Sequence, residues 1–418
     1  MGNQFTINGG KKLSGTIAVK GAKNAALKLF AAALLTDQSV TFSNVPEVED
    51  VQRLSELLGD LGCTVEHPDH GTYRITAANT TTTNINPEIS KRLRASVVLT
   101  GPLLARMGQV SFPHPGGCLI GKRPIDVFLD GYKAMGAQIT LKDDVYEITA
   151  KKLHGAEYFF GVMSVTGTET LMMAATRAQG TTVLKNCACE PEIAALAEFL
   201  NSCGASISGA GTHTITITGV STLTGGNCAV IPDRIEAGTF AILAAATGSP
   251  LEITGCDLNH LGSLWHTLEA MGVGVAIEKN SVRIIPAVTL ISSDIKTHEY
   301  PGFPTDLQAP LCVLLTQAEG ASLVHETIYE GRLHWTEDLK HMGADIIAFD
   351  PHRIQIRGKT ALEGKEMKSP DLRAGMAYVI AALCAQGTST IANIYQIDRG
   401  YEKIEERLSG IGADITRV

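Results

Sequence analysis

A short signature recurs six times along the chain: a hydrophobic residue, a glycine, a small residue, a variable residue and a β-branched one. It reads Leu61-Gly-Cys-Thr-Val65, Met135-Gly-Ala-Gln-Ile139, Cys203-Gly-Ala-Ser-Ile207, Met271-Gly-Val-Gly-Val275, Met342-Gly-Ala-Asp-Ile346 and Ile411-Gly-Ala-Asp-Ile415. The six glycines, at 62, 136, 204, 272, 343 and 412, lie 74, 68, 68, 71 and 69 residues apart. Each follows an amphipathic helical pattern and precedes a strand-like run, so each reads as a helix stopped by a glycine that can take positive φ. Between these landmarks, alanine-rich apolar segments end at Gln38, Gly108, Gly180, Gly248, Gly320 and Gly387, each followed by a β-rich run. These are expected to be buried helices. Every unit then holds two helices and several strands, and no unit can bury its apolar faces alone.

The sixth unit is short, with only six residues after Gly412. The chain's opening, Ile7-Asn-Gly-Gly-Lys-Lys-Leu-Ser-Gly15, matches the loops that follow the second and third units, Ile148-Thr-Ala-Lys-Lys-Leu-His-Gly155 and Ile217-Thr-Gly-Val-Ser-Thr-Leu-Thr-Gly225. Residues 1–21 are therefore expected to complete the last unit. The expectation is an α/β protein of two pseudo-equivalent domains with three units each, 22–229 and 1–21 plus 230–418, the chain crossing between them near residues 21 and 230.

Fourteen residues before the six alanine-rich endpoints stand Asn24, Arg94, Thr166, Arg234, Asp306 and Arg373. All are polar or charged and all fall near a helix start. Unpaired N–H groups and the positive dipole end gather anions there. Arginine adds bidentate grip on phosphate or carboxylate. Capping alone is the plain alternative, and Asp306 suits it; arginine is a poor N-cap, so capping does not account for three of them. Arg332 and Arg399 lie 12 residues beyond Gly320 and Gly387. The loop Pro113-His-Pro-Gly-Gly-Cys-Leu-Ile-Gly-Lys-Arg-Pro124 holds Cys118, Lys122 and Arg123 among glycines and prolines, which argues for an exposed loop. A lone cysteine is most often an inert small hydrophobe, but neighbouring cations favour the thiolate.

Composition excludes several classes. Hydrophobic residues make up 44% and charged residues 19% of 418, with a net charge of −8 and no basic stretch for nucleic acid or an anionic membrane. The longest apolar runs, such as 377–385, are about half a membrane span, and the opening residues lack a signal-peptide layout. Nine cysteines at scattered spacings, with no C-x-x-C, suit a reduced cytoplasmic protein. No phosphate-binding glycine loop, dinucleotide fingerprint or metal-binding histidine motif occurs, so no cofactor and no metal is expected.

Seven stretches, in order, carry a family likeness: Gly21-Ala-Lys-Asn-Ala-Ala-Leu27, Arg94-Ala-Ser96, Gly116-Gly-Cys-Leu-Ile-Gly-Lys-Arg-Pro-Ile-Asp126, Pro232-Asp-Arg-Ile-Glu-Ala-Gly-Thr239, Pro301-Gly-Phe-Pro-Thr-Asp306, Asp371-Leu-Arg-Ala-Gly375 and Asp398-Arg-Gly-Tyr-Glu402. The chain resembles the UDP-N-acetylglucosamine 1-carboxyvinyltransferases, which are enolpyruvyl transferases, over nearly its whole length. The resemblance implies an inverse α/β barrel fold, repeated sixfold in two domains. It implies that Lys23 and Asn24 hold phosphoenolpyruvate, with Arg123 and Arg399 gripping its charged groups. Cys118 would be the loop proton donor, able to form a covalent adduct and to be attacked by fosfomycin-type epoxides. Asp306 would be the general base beside the sugar's 3-hydroxyl. Arg94, Ser164, Val165, Ile328 and the segment Arg123, Pro124, Ile125, Asp126 and Val127 would contact UDP-N-acetylglucosamine, and Arg332, Asp371 and Arg373 would complete a charged floor. Three positions depart from the family pattern: Glu49 for a common lysine, Tyr329 for phenylalanine and Gly331 for asparagine.

The reaction implied is addition of a sugar hydroxyl to the enol ether followed by loss of phosphate, which opens peptidoglycan synthesis. It needs an acid, a base and dense positive charge rather than a metal. The sister reaction on shikimate 3-phosphate is the alternative, which the cysteine loop and the Gly-Ala-Lys-Asn opening disfavour. A nonenzymatic sugar-nucleotide-binding regulator is the other; the presence of Lys23, Cys118 and Asp306 disfavours it.

Overall fold

A computed structural model describes residues 2–115, 120–121 and 123–418. Each of the six signature glycines follows a helix and has positive φ, between 90° and 105°. The helices they end are Glu49–Asp60, Asp126–Ala134, Pro191–Ser202, Gly262–Ala270, Thr336–His341 and Ile404–Ser409. The alanine-rich segments form the other six: Lys23–Ala32, Thr100–Met107, Val165–Ala175, Arg234–Thr247, Gln308–Thr316 and Leu372–Cys384. Leu372–Cys384 is buried over all but its last residue and Arg234–Thr247 over all but its two end residues, as helices apolar on every side must be.

Each inner helix feeds the central strand of a sheet, and the repeat makes the sheets alike. In residues 2–20, 120–121 and 232–418, which form one unit, those strands are Leu251–Thr254, Gly320–His325 and Thr388–Ala392. Each pairs in parallel with a strand on one side: Gly15–Ala18, Ile295–Lys296 and Glu366–Lys368. On the other side each pairs antiparallel, with Ser281–Ile285, Arg353–Gly358 and Gln4–Asn8. Gln4–Asn8 thus holds the hairpin position that residues of the same repeat fill elsewhere, and Asp414–Arg417 closes its far edge.

The other unit, residues 21–115 and 123–231, repeats the plan around Val40–Ser43, Gln109–Pro113 and Thr181–Lys185. Its antiparallel partners are Thr72–Thr76, Val145–Thr149 and Thr214–Thr218. Gly226–Ala229 and Glu157–Phe159 supply parallel edges to two sheets, and a single bridge from Asn84 to Ser111 stands in for the third. Gly15–Ala18 and Gly226–Ala229 each join a sheet of one unit just before the chain enters a helix of the other, so the chain changes units at those two points. Each unit has its own apolar cluster, one built on residues such as Phe5, Phe240 and Tyr378, the other on Phe30, Phe42 and Phe199. Helices enclosed by sheets make each unit an inverse α/β barrel.

Candidate active site

Asp306 is the centre of the charge in the unit containing residues 232–418. It lies in the Thr305–Leu307 turn that leads into Gln308–Thr316, and it is no ordinary cap. Arg332 Nη2 donates to its Oδ1 at 2.8 Å; Arg373 Nη2 and Nε donate to its Oδ2 at 2.8 and 3.1 Å. Both guanidinium groups are buried, at 5% and 6% exposure, while Asp306 is half-buried. Burial alone would raise the Asp306 pKa. The charges and hydrogen bonds of Arg373 and Arg332 outweigh it and hold the carboxyl well below the usual range. The same pairing raises both arginines against the opposing effect of their burial.

The two arginines are held from behind. Arg332 Nη1 donates to Thr305 Oγ1 at 3.0 Å, and Thr305 donates to the buried Glu326 at 2.8 Å. Glu326 also accepts from Thr297 Oγ1 and from the N–H groups of Ile328 and Tyr329, at 3.0, 2.8 and 3.2 Å. It therefore fixes the turn that carries Ile328 and Arg332, whose guanidinium lies 5.4 Å from the Tyr329 ring centre. Arg373 Nη1 donates to Tyr401 Oη at 3.3 Å, and that hydroxyl contacts Thr239 Oγ1 at 3.0 Å. Asp371 accepts from the N–H groups of Arg373 and Ala374 at 2.8 and 3.1 Å, capping the helix that bears Arg373.

The two remaining motifs of this unit are anchored in the same manner. Asp233 caps Arg234–Thr247, and Arg234 lies 5.6 Å from the Tyr300 ring centre. Glu236 accepts from both terminal nitrogens of Arg407, at 2.6 and 3.0 Å, and from the Lys20 N–H at 2.8 Å. Arg399 donates to Gln396 Oε1 at 3.1 Å, beside Asp398, which is gripped bidentately by Arg417 at 2.6 and 2.9 Å. Glu402 pairs with Lys20 at 3.1 Å.

In the other unit, the buried Lys23 pairs with Asp50 at 2.9 Å, and the half-buried Asn24 follows it in the first turn of Lys23–Ala32. Arg94 opens the Arg94–Leu99 turn and donates to the Arg123 carbonyl. Tyr158 Oη donates to the Val127 carbonyl at 2.7 Å. Arg123, Pro124, Ile125, Asp126 and Val127, which enter Asp126–Ala134, are thus fixed at both ends. Ser164 accepts from the Gly167 N–H at 3.0 Å and caps Val165–Ala175, which places Thr166 in its first turn. Glu49 bonds Arg53 one turn on, at 3.2 Å. Cys118 and Lys122 lie outside the described residues.

Each of the six polar positions fourteen residues before an alanine-rich endpoint falls in the first turn of an inner helix or in the short turn leading into one. Sequence reasoning missed Glu326, Tyr401, Thr239 and Asp50. Tyr401 and Thr239 sit inside stretches that carry the family likeness, which was their available signal; Glu326 and Asp50 carry none, because only the folded neighbours reveal why a buried carboxylate is there.

A family model described as EPSP synthase (3-phosphoshikimate 1-carboxyvinyltransferase) matches residues 7–408. A UDP-N-acetylglucosamine 1-carboxyvinyltransferase of Desulforapulum autotrophicum is 47% identical over 416 residues, covering 100% of both chains. One of Koribacter versatilis is 46% identical, covering 100% of this chain and 96% of its own. Among solved structures, the enolpyruvyl transferase NikO from Streptomyces tendae superposes with a TM-score of 0.90 at 24% identity, covering 100% of this chain and 99% of its own. EPSP synthase from Acinetobacter baumannii gives 0.76 at 22%, covering 99% of each.

Proposed function

Because the chain belongs to the UDP-N-acetylglucosamine 1-carboxyvinyltransferase family, we propose that it transfers the enolpyruvyl group of phosphoenolpyruvate to the 3-hydroxyl of UDP-N-acetylglucosamine, releasing phosphate. The observation that carries this reading is Asp306, in the turn leading into one inner helix, clasped by Arg373 at the start of another and by Arg332 from the turn after a strand, a base site set in dense positive charge. The hydroxyl oxygen attacks C2 of phosphoenolpyruvate, Asp306 takes the hydroxyl proton, and C3 gains a proton from Cys118. The C2–O bond to phosphate then breaks as C3 loses a proton, which regenerates the double bond in the product. Lys23, Asn24, Arg123 and Arg399 hold phosphoenolpyruvate. Arg94, Ser164, Val165, Ile328 and residues 123–127 hold the nucleotide sugar, and Arg332, Asp371 and Arg373 form the charged floor. No step needs a cofactor.

Residues 22–229 and 1–21 plus 230–418 are the two domains of this reading. No helix among the described residues is long and apolar enough to cross a membrane. We assign the reaction to the cytoplasm, as the entry step of peptidoglycan synthesis, on which cell shape and division depend.

The test is incubation with both substrates, following phosphate. Release that requires UDP-N-acetylglucosamine, and does not occur with shikimate 3-phosphate in its place, is expected. Release with shikimate 3-phosphate alone would overturn the assignment.

Cys118 offers a second check. Burial raises the thiol pKa at all eight described cysteines, to about 11 at Cys63 and Cys228 and about 12 at Cys187 and Cys384. A loop thiol with Lys122 and Arg123 four and five residues further along the chain is then the one expected to be most reactive. Fosfomycin should add one mass increment at Cys118, and Cys118→Asp should stay active while escaping it. Labelling at another cysteine would defeat the assignment.

A further inference from the structure

Lys28 and Glu169 form an ion pair within the unit of residues 21–115 and 123–231, Nζ to Oε2 at 3.2 Å. Both are buried, at 6% and 0% exposure. Lys28 stands between Leu27 and Leu29 on one helix; on the other, Glu169 stands between the buried Thr168 and Thr170, with Leu171, Met172 and Met173 following. Such a pair is a poor source of stability. Desolvating two charges costs several kcal/mol per ion, recovered only where further hydrogen bonds complete the site. Beyond the ion pair, neither Glu169 oxygen has a hydrogen-bond partner among the described residues. Burial raises the Glu169 pKa to about 7 even against Lys28, and Glu190 and Glu192 add like charge.

What the pair does have is position. Lys28 stands four residues after Asn24 and five after Lys23; Glu169 stands four after Val165 and five after Ser164. Residues four apart share a helix face. The ion pair therefore lies one turn beneath the two helix starts on which the transferase reading places the donor and nucleotide-sugar contacts. Resting on that reading, we propose that Lys28 and Glu169 are positioning residues: their contact fixes the spacing between the helix start carrying Lys23 and Asn24 and the one carrying Ser164 and Val165. An apolar contact would fill the same space while tolerating slippage. An ammonium and a carboxylate have one best separation.

The test uses the full chain. The apolar double variant Lys28→Met/Glu169→Met should unfold at the wild-type denaturant concentration or above it. Its KM for both substrates should rise about tenfold, with kcat falling less, because a small misplacement weakens binding. The exchanged pair Lys28→Glu/Glu169→Lys should recover most of the lost KM. Wild-type KM values in the apolar variant would overturn the proposal. So would a fall in its unfolding midpoint, or an exchanged pair no better than the apolar one. A wild-type chain that releases no phosphate would defeat the transferase reading, and this inference with it; an active wild type with an unaffected apolar variant would defeat the inference alone.

Discussion

A carboxylate with both oxygens taken by guanidinium groups is a weak base, and Asp306 is in that state here. In the proposed reaction it must exchange arginine contacts for the substrate to accept the hydroxyl proton, the substrates' negative groups drawing the arginines off. Asp306→Asn keeps the shape and removes the basicity, so kcat should fall by roughly 10²-fold or more. The dissociation constant for UDP-N-acetylglucosamine should stay within about threefold, because the proposed function gives that contact to Arg94 and residues 123–127. Near-normal turnover in a folded variant would sink the base assignment. Glu169 gives a prediction in pH. Its folded pKa, about 7, lies above the ordinary value of 4.5. The proton is held more tightly by the folded chain, so the contribution to stability is full below about pH 4.5 and is lost as pH rises through 7. Relative to Glu169→Gln, the wild type should therefore lose up to ~3 kcal/mol between pH 4.5 and 7.5. Denaturation of both across that window checks it; parallel curves would refute the shift. At this scale the arginines were legible, because a charge that opens an apolar helix is costly to keep there unless it meets an anion. Glu326, Asp50 and Glu169 were not, since nothing along the chain distinguishes a buried carboxylate from a solvated one.

The elements follow from local chemistry to different degrees. The signature glycines were readable because a helix that turns sharply into a strand needs positive φ at that point, which glycine supplies without strain. Two inner helices start later than the sequence suggests, after the tight turns Arg94–Leu99 and Thr305–Leu307. Both carry proline at their third position, Pro102 and Pro310. Proline has no N–H to give the carbonyl four residues back, so the preceding turn tightens. That turn carries Arg94 in one case and Asp306 in the other, both site residues of the proposed function. The glycines also allow a graded prediction. An added Cβ at Gly204 meets nothing within 4 Å, so Gly204→Ala bears only the φ penalty, roughly 1–2 kcal/mol. At Gly62 the Cβ would stand 2.5 Å from the Asn79 carbonyl oxygen and 2.9 Å from the Thr81 nitrogen. Gly62→Ala should cost at least ~1 kcal/mol more, because backbone must move. Equal losses in denaturant titrations would show that φ alone decides both sites.

At the scale of the whole molecule, the sixfold spacing announced units that must pack together, because each repeat must borrow neighbours to bury itself; the barrel was implied by the family likeness. The missing piece of the last repeat pointed to the chain's opening. Gln4–Asn8 lies between Thr388–Ala392 and Asp414–Arg417, and its Phe5 and Ile7 are fully buried in the same cluster as Phe240 and Tyr378. Removing residues 1–20 strips out one central strand, one edge strand and the apolar side chains of Leu13 and Ile17. A fragment of 232–418 alone should therefore fail to melt cooperatively. The chain ends are adjacent: the Gln4 N–H donates to the Val418 carbonyl at 3.2 Å and the Val418 N–H returns the bond at 2.9 Å. A flexible linker of about four to six residues suffices to join Val418 to Gly2, since n residues span up to ~3.3 Å each. The permuted chain 232–418–linker–2–20 should then recover a cooperative transition, and 21–231, whose apolar cluster is its own, should show one without help. Calorimetry of the three fragments decides the matter. Equal melting of 232–418 with and without the appended segment would mean that the opening strands are ornament to the second domain, and the proposed boundary at residue 21 would fall.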